Sequence, residues 1–324
     1  MTETKSNSFA GLAIHPTAVS MLVADDDGIR SIGLQKSERR LDYGASRIEG
    51  LLAAMLGDTF DALVQETGMQ AADIGIALHQ SMVLVKKIPS ALGLGEDMVK
   101  DQMRWEATQF LLAPLSEYAL TYERLPFATP SGNPLYLEVL VRKSIVQALQ
   151  DFFRERGLTL KDIDVDVFSN VRTVLANYEI SSKGTVALVE VQPEHLSFTF
   201  VHNREYFLSH RIPCPGDANP QELDPIEIQK GLLKELRRLV FGHRLGKGPE
   251  DLEALFLSGH AIVRDLAPAL QGRELQSVQV ANPFRRLKVQ PGCAQSEWFQ
   301  HHPETFSATV GLALKRVAGL QPSQ

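Results

Sequence analysis

The segment Gly242-His243-Arg244-Leu245-Gly246-Lys247-Gly248 comes nearest to a phosphate-binding motif. A P-loop needs four residues between its glycines, a Ser or Thr after the lysine, and a strand before it. Here three residues separate Gly242 from Gly246, a glycine follows Lys247, and a helical pattern precedes them, so the segment reads as a helix C-terminal turn. Gly93-Leu94-Gly95 lacks the third glycine of a dinucleotide fingerprint and opens no βαβ unit. The nine histidines show no metal-ligand spacing, and His301-His302 beside Pro303 reads as a solvated loop. No Gly-x-Ser-x-Gly elbow supports a serine hydrolase. Glu190 and Glu194 could act as an acid–base pair by type alone, but neighbouring carboxylates are common on surfaces. Cys214 and Cys293 lack CxxC spacing and read as reduced structural thiols. No residue is assigned catalysis or a metal.

Composition fits this reticence. The chain has 324 residues, 44% apolar and 22% charged, with a formal charge of −6. Those values exclude a disordered chain, a fibrous repeat and a disulfide scaffold. A mildly acidic chain argues against a general nucleic-acid binder. No apolar run approaches the roughly 18 residues of a membrane span. The start, residues 1–8, lacks a basic segment followed by an apolar stretch, so no secretion signal is expected.

The elements that must position any site follow from periodicity. Three short strands are predicted over 9–14, 18–24 and 29–35, joined by tight turns as an antiparallel meander. A helix over about 45–66 and strands over 74–78 and 82–86 come next. A helix–strand–strand–helix unit, with Ser144 and Gln147 as a capping box for its last helix, reads as an insertion over about 89–158. Strand 160–165 rejoins the first sheet, and a helix follows over 168–178. After the hinge Ile180-Ser181-Ser182-Lys183-Gly184 the meander recurs at 186–191, 196–201 and 206–212, which suggests an internal duplication. A helix capped by Asp224, a strand over 255–258, a short helix, a strand over 278–280 and a last helix over 306–317 complete the chain. The expected domains are 1–183 and 184–324. Two βββαβα-like halves, one carrying an insertion, are the layout of the actin/hexokinase/Hsp70 class: α/β, duplicated and ribonuclease H-like.

Four segments carry a family likeness. They are Gly11-Leu12-Ala13-Ile14-His15-Pro16-Thr17-Ala18-Val19, the tryptophan-glutamate stretch from Trp105 to Glu117, Val280-Ala281-Asn282-Pro283-Phe284, and Gly311-Leu312-Ala313-Leu314-Lys315. In order and spacing the chain resembles the PilM family of type IV pilus assembly proteins and, more distantly, the cytoplasmic part of the type II secretion protein GspL. The resemblance implies an actin-like ATPase fold whose two strand-turn-strand loops hold ATP and Mg²⁺. Each loop needs an acid, and a glycine that lets backbone N–H groups approach the phosphates.

This chain departs from that pattern. Ala13 stands for the family's Asp and His15 for its Gly, and Pro16 then removes an N–H; Thr17 alone keeps a hydroxyl. In the second loop Glu190 replaces Asp and Gln192 replaces Gly, with Pro193 next. Of the adenosine loop Ser258 and Gly259 persist, with His260 where a second glycine is usual. Only residues 214–223 separate the third strand from the long helix, so a reduced form of the family's lid is expected. Very weak or absent ATP binding is expected, hence a degenerate, non-enzymatic member. The alternative is an ATPase binding ATP and Mg²⁺ through Thr17, Glu190, Ser258 and Gly259.

Function then falls to a surface. The resemblance implies that the short cytoplasmic tail of a PilN-like inner-membrane protein lies between the inserted subdomain and the first meander. Trp105, Phe110, Leu111 and Leu115 are the partner-binding candidates. Phe110 and Leu111 also lie on an apolar helical stripe and read as core, whereas Trp105 falls off it. A cytoplasmic location peripheral to the inner membrane through partners is expected, with contacts to other pilus or secretion platform components. Residues 317–324 are proline-broken and lack acidic or basic side chains, so they offer no basic amphipathic anchor. Pilus against secretion system, and a homo-oligomer, stay open.

Overall fold

The computed structural model describes residues 8–42, 47–215, 223–272 and 275–320. The expected helix start near residue 45, most of the 214–223 connection and the end of the tail lie outside them.

The first sheet begins with β1 (Phe9–Ile14), β2 (Ala18–Asp25) and β3 (Gly28–Lys36), an antiparallel meander. Helix α1 (Ile48–Thr67) leads to β4 (Asp73–Leu78), which pairs in parallel with β1. Gly68 ends α1 in the left-handed conformation, φ 61°. Then come β5 (Val83–Pro89), α2 (Glu96–Phe110), β6 (Tyr118–Ala128), β7 (Pro134–Arg142), α3 (Lys143–Glu155), β8 (Thr159–Val165) and α4 (Asp166–Asn177). The second sheet starts with β9 (Thr185–Val191), β10 (His195–His202) and β11 (Glu205–Pro213). It continues with α5 (Pro225–Gly242), β12 (Ala254–Gly259), α6 (Val263–Leu270) and β13 (Val278–Val280). Helices α7 (Pro291–Ala294), α8 (Glu297–His301) and α9 (Ser307–Arg316) finish the chain.

The strand orders β3-β2-β1-β4-β8 and β11-β10-β9-β12-β13 are the same permutation. The duplication read from the sequence is therefore present in the topology. In the second half Asp224 caps α5 as expected, accepting from the Ile226 N–H at 2.8 Å.

Strand β1 is buried along its whole length because both its faces are covered. Its side chains alternate between two cores. Ala10, Leu12 and Ile14 pack with Leu52, Met55 and Phe60 of α1. Phe9 and Ala13 pack on the other side with Val310, Leu312 and Leu314 of α9. Helix α4 does the converse: its Val171 and Val174 join Val186, Leu188 and Phe256 of the second sheet. Each half thus lends its last helix to the other's sheet. Phe284, Cys293, Phe306 and Leu320, all beyond Gly184 in the chain, pack on the first sheet.

The insertion also differs from its sequence reading. Strand β5 pairs with β7 in a separate sheet of order β5-β7-β6, so the inserted unit begins at β5. Helix α3 belongs to the first core. Its Phe152 and Phe153 rings meet Phe60 edge-on at 5.7 and 5.8 Å. No capping box forms at its start: Ser144 lies inside the first turn, and Arg142 at the N-cap supplies no side-chain hydrogen bond. Both cysteines are unpaired.

Candidate functional site

The duplicated meanders point their first turns, His15–Pro16–Thr17 and Gln192–Pro193–Glu194, at the seam between the halves. The His15 N–H is taken by the Ala18 carbonyl, and those of Gln192 and His195 by each other's carbonyl oxygens. Pro16 and Pro193 have no N–H to offer. Glu190, Ser258 and Gly259 do converge here, with Ala13, His15, Asp166, Asn170 and Glu304. Thr17, the fourth candidate, is exposed and lines none of this space.

The cavity they enclose is about 20 Å³, and its neighbour beside Asn170 and Ser197 about 10 Å³. Such a space holds about one water. Pockets that bind small ligands run to roughly 300–1,000 Å³. A second space, of about 660 Å³, opens beside the two turns and is lined by Pro16, Arg40, Leu41, Glu194 and Arg211. His15 fills part of the loop's place; it is half-buried, Nε2 lies 3.1 Å from Ser20 Oγ, and desolvation lowers its pKa to about 4. Gly259, at φ +95°, is required, because a Cβ there would overlap the Val191 carbonyl oxygen.

The acids here are held toward their neutral form. Burial raises the Asp166 carboxyl well above its ordinary range, the charge of Glu190 adds to this, and the Val167 and Gln80 N–H groups oppose it. Burial likewise raises Glu190, opposed by the hydrogen bond from Gln192 Nε2 at 2.8 Å. Neutral carboxyls are poor cation ligands. Among the described residues no group of three or more His, Cys, Asp or Glu could hold a metal.

Sequence reasoning missed the contacts that close the seam. Gln80 donates its N–H to Asp166 Oδ1 at 3.0 Å and its side-chain amide to Ser197 Oγ. The His79 and His195 rings meet edge-on at 5.2 Å. Burial lowers both histidines, His195 to about 4. These partners lie far apart in sequence, and no local pattern marks them.

A larger open space lies elsewhere. A groove of about 950 Å³ runs along β6, with walls from Leu137 and Val139 of β7, Ile163 and Val165 of β8, Phe168 of α4 and Tyr206 of β11. Strands β6 and β8 are each the terminal strand of their sheet. Alternation puts Leu137 and Val139 on one face of the inserted sheet and Tyr136, Glu138 and Leu140 on the other, under α2. The predicted partner residues fall on that second face. Phe110, Leu111 and Leu115 pack against Ala107, Tyr118 and Leu140, and Trp105 stands exposed on α2. None of the four lines the groove.

Paired meander sheets with exchanged helices and facing turns define an actin-like α/β protein. Within that class the chain belongs to the PilM family: the model for type IV pilus assembly protein PilM matches residues 49–223. The structure is similar to a solved PilM–PilN type IV pilus biogenesis complex, with TM-score 0.73 and 19% identity over 97% of this chain and 98% of that one. It is also similar, with TM-score 0.50 and 13% identity over 87% and 94%, to a protein of actin-like ATPase fold and unknown function from Bacteroides thetaiotaomicron. A fainter likeness, TM-score 0.46 and 10% identity over 88% and 89%, is to the cytoplasmic domain of EpsL, an inner membrane component of the Vibrio cholerae type II secretion system. No helix among the described residues is long and apolar enough to cross a membrane.

Proposed function

We propose that this chain is a non-enzymatic scaffold of a pilus-assembly platform at the cytoplasmic face of the inner membrane, and that it holds the extended tail of a PilN-like membrane protein in the β6 groove. One contrast carries the reading: the space enclosed by Glu190, Ser258 and Gly259 is about 20 Å³, whereas the groove is about 950 Å³. The solved PilM–PilN complex of the same fold supports the choice of partner.

The groove suits an extended peptide. A terminal strand offers unpaired N–H and C=O groups, and a peptide can add to it as a further strand. Register between β6 and β7 is irregular between Arg124 and Ala128, where Leu125 and Phe127 line the groove. Apolar side chains of the tail would rest on Leu137, Val139, Ile163 and Phe168, and main-chain hydrogen bonds would fix the register. The chain supplies no group that breaks or makes a covalent bond in this account; its work is to bind and orient.

A peptide with the sequence of the partner's cytoplasmic tail, titrated calorimetrically into the full chain, should bind. Leu137→Asp, which puts a charge on the groove wall, should weaken binding at least about tenfold. Unchanged affinity in a variant of unchanged melting temperature would remove the groove from the proposal.

A further inference from the structure

We propose that the outer face of α2 is a contact site for a second copy of this chain, the two α2 helices packing antiparallel about a two-fold axis at Gln102. The inner side of the helix is spent on the fold: Val99, Met103 and Ala107 are buried against the inserted sheet. On the outer side Met98 and Trp105 are each 60% exposed. They lie two turns apart on one line of the helix, and Leu112 stands fully exposed just past its end. Lone apolar side chains on a surface need no explanation, whereas a row at this spacing is a seam for another helix.

The charges beside the row identify the occupant. Asp97, Asp101 and Arg104 flank it on one side, all exposed. Among the described residues none of the three side chains has an ion-pair partner. In an antiparallel pair related by a two-fold axis, each flank faces the same flank of the other helix. With Gln102 on the axis, Met98 of each helix lies against Trp105 of the other, a sulfur–aromatic contact. Arg104 of each then lies beside Asp101 of the other and within a turn of its Asp97, and every contact occurs twice. The helix thus matches itself in both shape and charge. Asp97 and Asp101 adjoin Met98, so an anionic bilayer or a nucleic acid would be repelled where the apolar side chain must enter. One helix pair buries less than a standard interface, so the dimer is weak and concentration-dependent. The contact does not depend on the groove, which lies on the opposite face of the inserted sheet and stays open in both copies.

The test is sedimentation equilibrium of the full chain from low to high micromolar concentration. A reversible monomer–dimer equilibrium is expected. Trp105→Ala should raise its dissociation constant at least about tenfold, because the ring is lost from both sides. Asp101→Arg or Arg104→Asp alone should raise it about tenfold, since two like-charge contacts replace two favourable ones. The double variant exchanges the charges and should return to within about threefold of the unmodified chain. All these side chains are exposed, and thermal melting should show every variant folded. A chain that is monomeric at every concentration overturns the proposal and leaves the face to a different partner. A dimer that Trp105→Ala leaves intact, or that the charge exchange fails to restore, also overturns it, because the copies would then meet elsewhere or in another register.

Discussion

Gly311 of α9 lies directly against the backbone of Ser169 in α4, so closely that a Cβ on Gly311 would overlap the Ser169 carbonyl. The two helices that cross here are the ones exchanged between the halves. Side chains lock the crossing: Arg172 donates to the Gly311 carbonyl at 2.7 Å, and Thr173 Oγ1 to that of Ser307 at 2.6 Å. The close approach lets one pair of helices serve both sheets.

Gly311→Leu should therefore destabilise the whole molecule. The side chain has no room, and backbone cannot yield as a flexible side chain can. A loss of about 3 kcal/mol or more is expected in urea unfolding, at the upper end of overpacking costs. A loss under about 0.5 kcal/mol would mean that the crossing opens freely.

How much of this was legible follows from particular residues. The duplicated meanders were, because Phe9 to Ile14 and Thr185 to Val191 are short apolar runs set off by turn residues. Helix α3 was assigned to the insertion because it follows β7 directly; that Phe152 and Phe153 would seek Phe60 is a tertiary fact. The Gln80–Asp166 and Gln80–Ser197 bonds span 86 and 117 residues; the first forms where β4 and β8 end side by side, and the second only once the halves meet. Trp105 read correctly as off the buried stripe, yet which face of the sheet carries the groove depends on strand register, which no single segment encodes.

The closed cleft leads to an expectation about nucleotide. Titration of the full chain with fluorescent ATP and Mg²⁺ should give no saturable binding below millimolar concentration, since the space enclosed by Glu190, Ser258 and Gly259, about 20 Å³, must open more than tenfold to admit a nucleotide there. Micromolar binding would show that the halves swing apart at little cost and would restore the ATPase alternative.

The position of Trp105 allows a sharp comparison. Standing 60% exposed on α2, on the face of the inserted sheet away from the groove, it should contribute nothing to tail binding. Trp105→Ala is expected to change tail affinity less than twofold and stability by about 0.5 kcal/mol or less. A large loss of affinity would move the tail to the α2 face, which carries the residues first expected to bind it.

Glu138 gives the chain a pH signature. It is fully buried in β7 beneath α2, and neither carboxylate oxygen has a hydrogen-bond partner. Burial, with a smaller contribution from the charge of Glu106, raises its pKa to about 7 from an ordinary 4.5. For an acid whose folded pKa is raised, the unfolded chain ionises first as pH rises. The cost to stability is absent below pH 4.5, accumulates up to pH 7 and is constant above it. His15 and His195, lowered to about 4, act in the opposite sense: their cost accumulates as pH falls below 6.5. The two contributions oppose one another in the native protein, so a variant must separate them. Glu138→Leu should gain about 2 kcal/mol of stability between pH 5 and pH 8 relative to the unmodified chain, whatever its absolute stability. Parallel stability–pH curves for the two proteins would mean that Glu138 is ionised, and therefore hydrated, in the folded state.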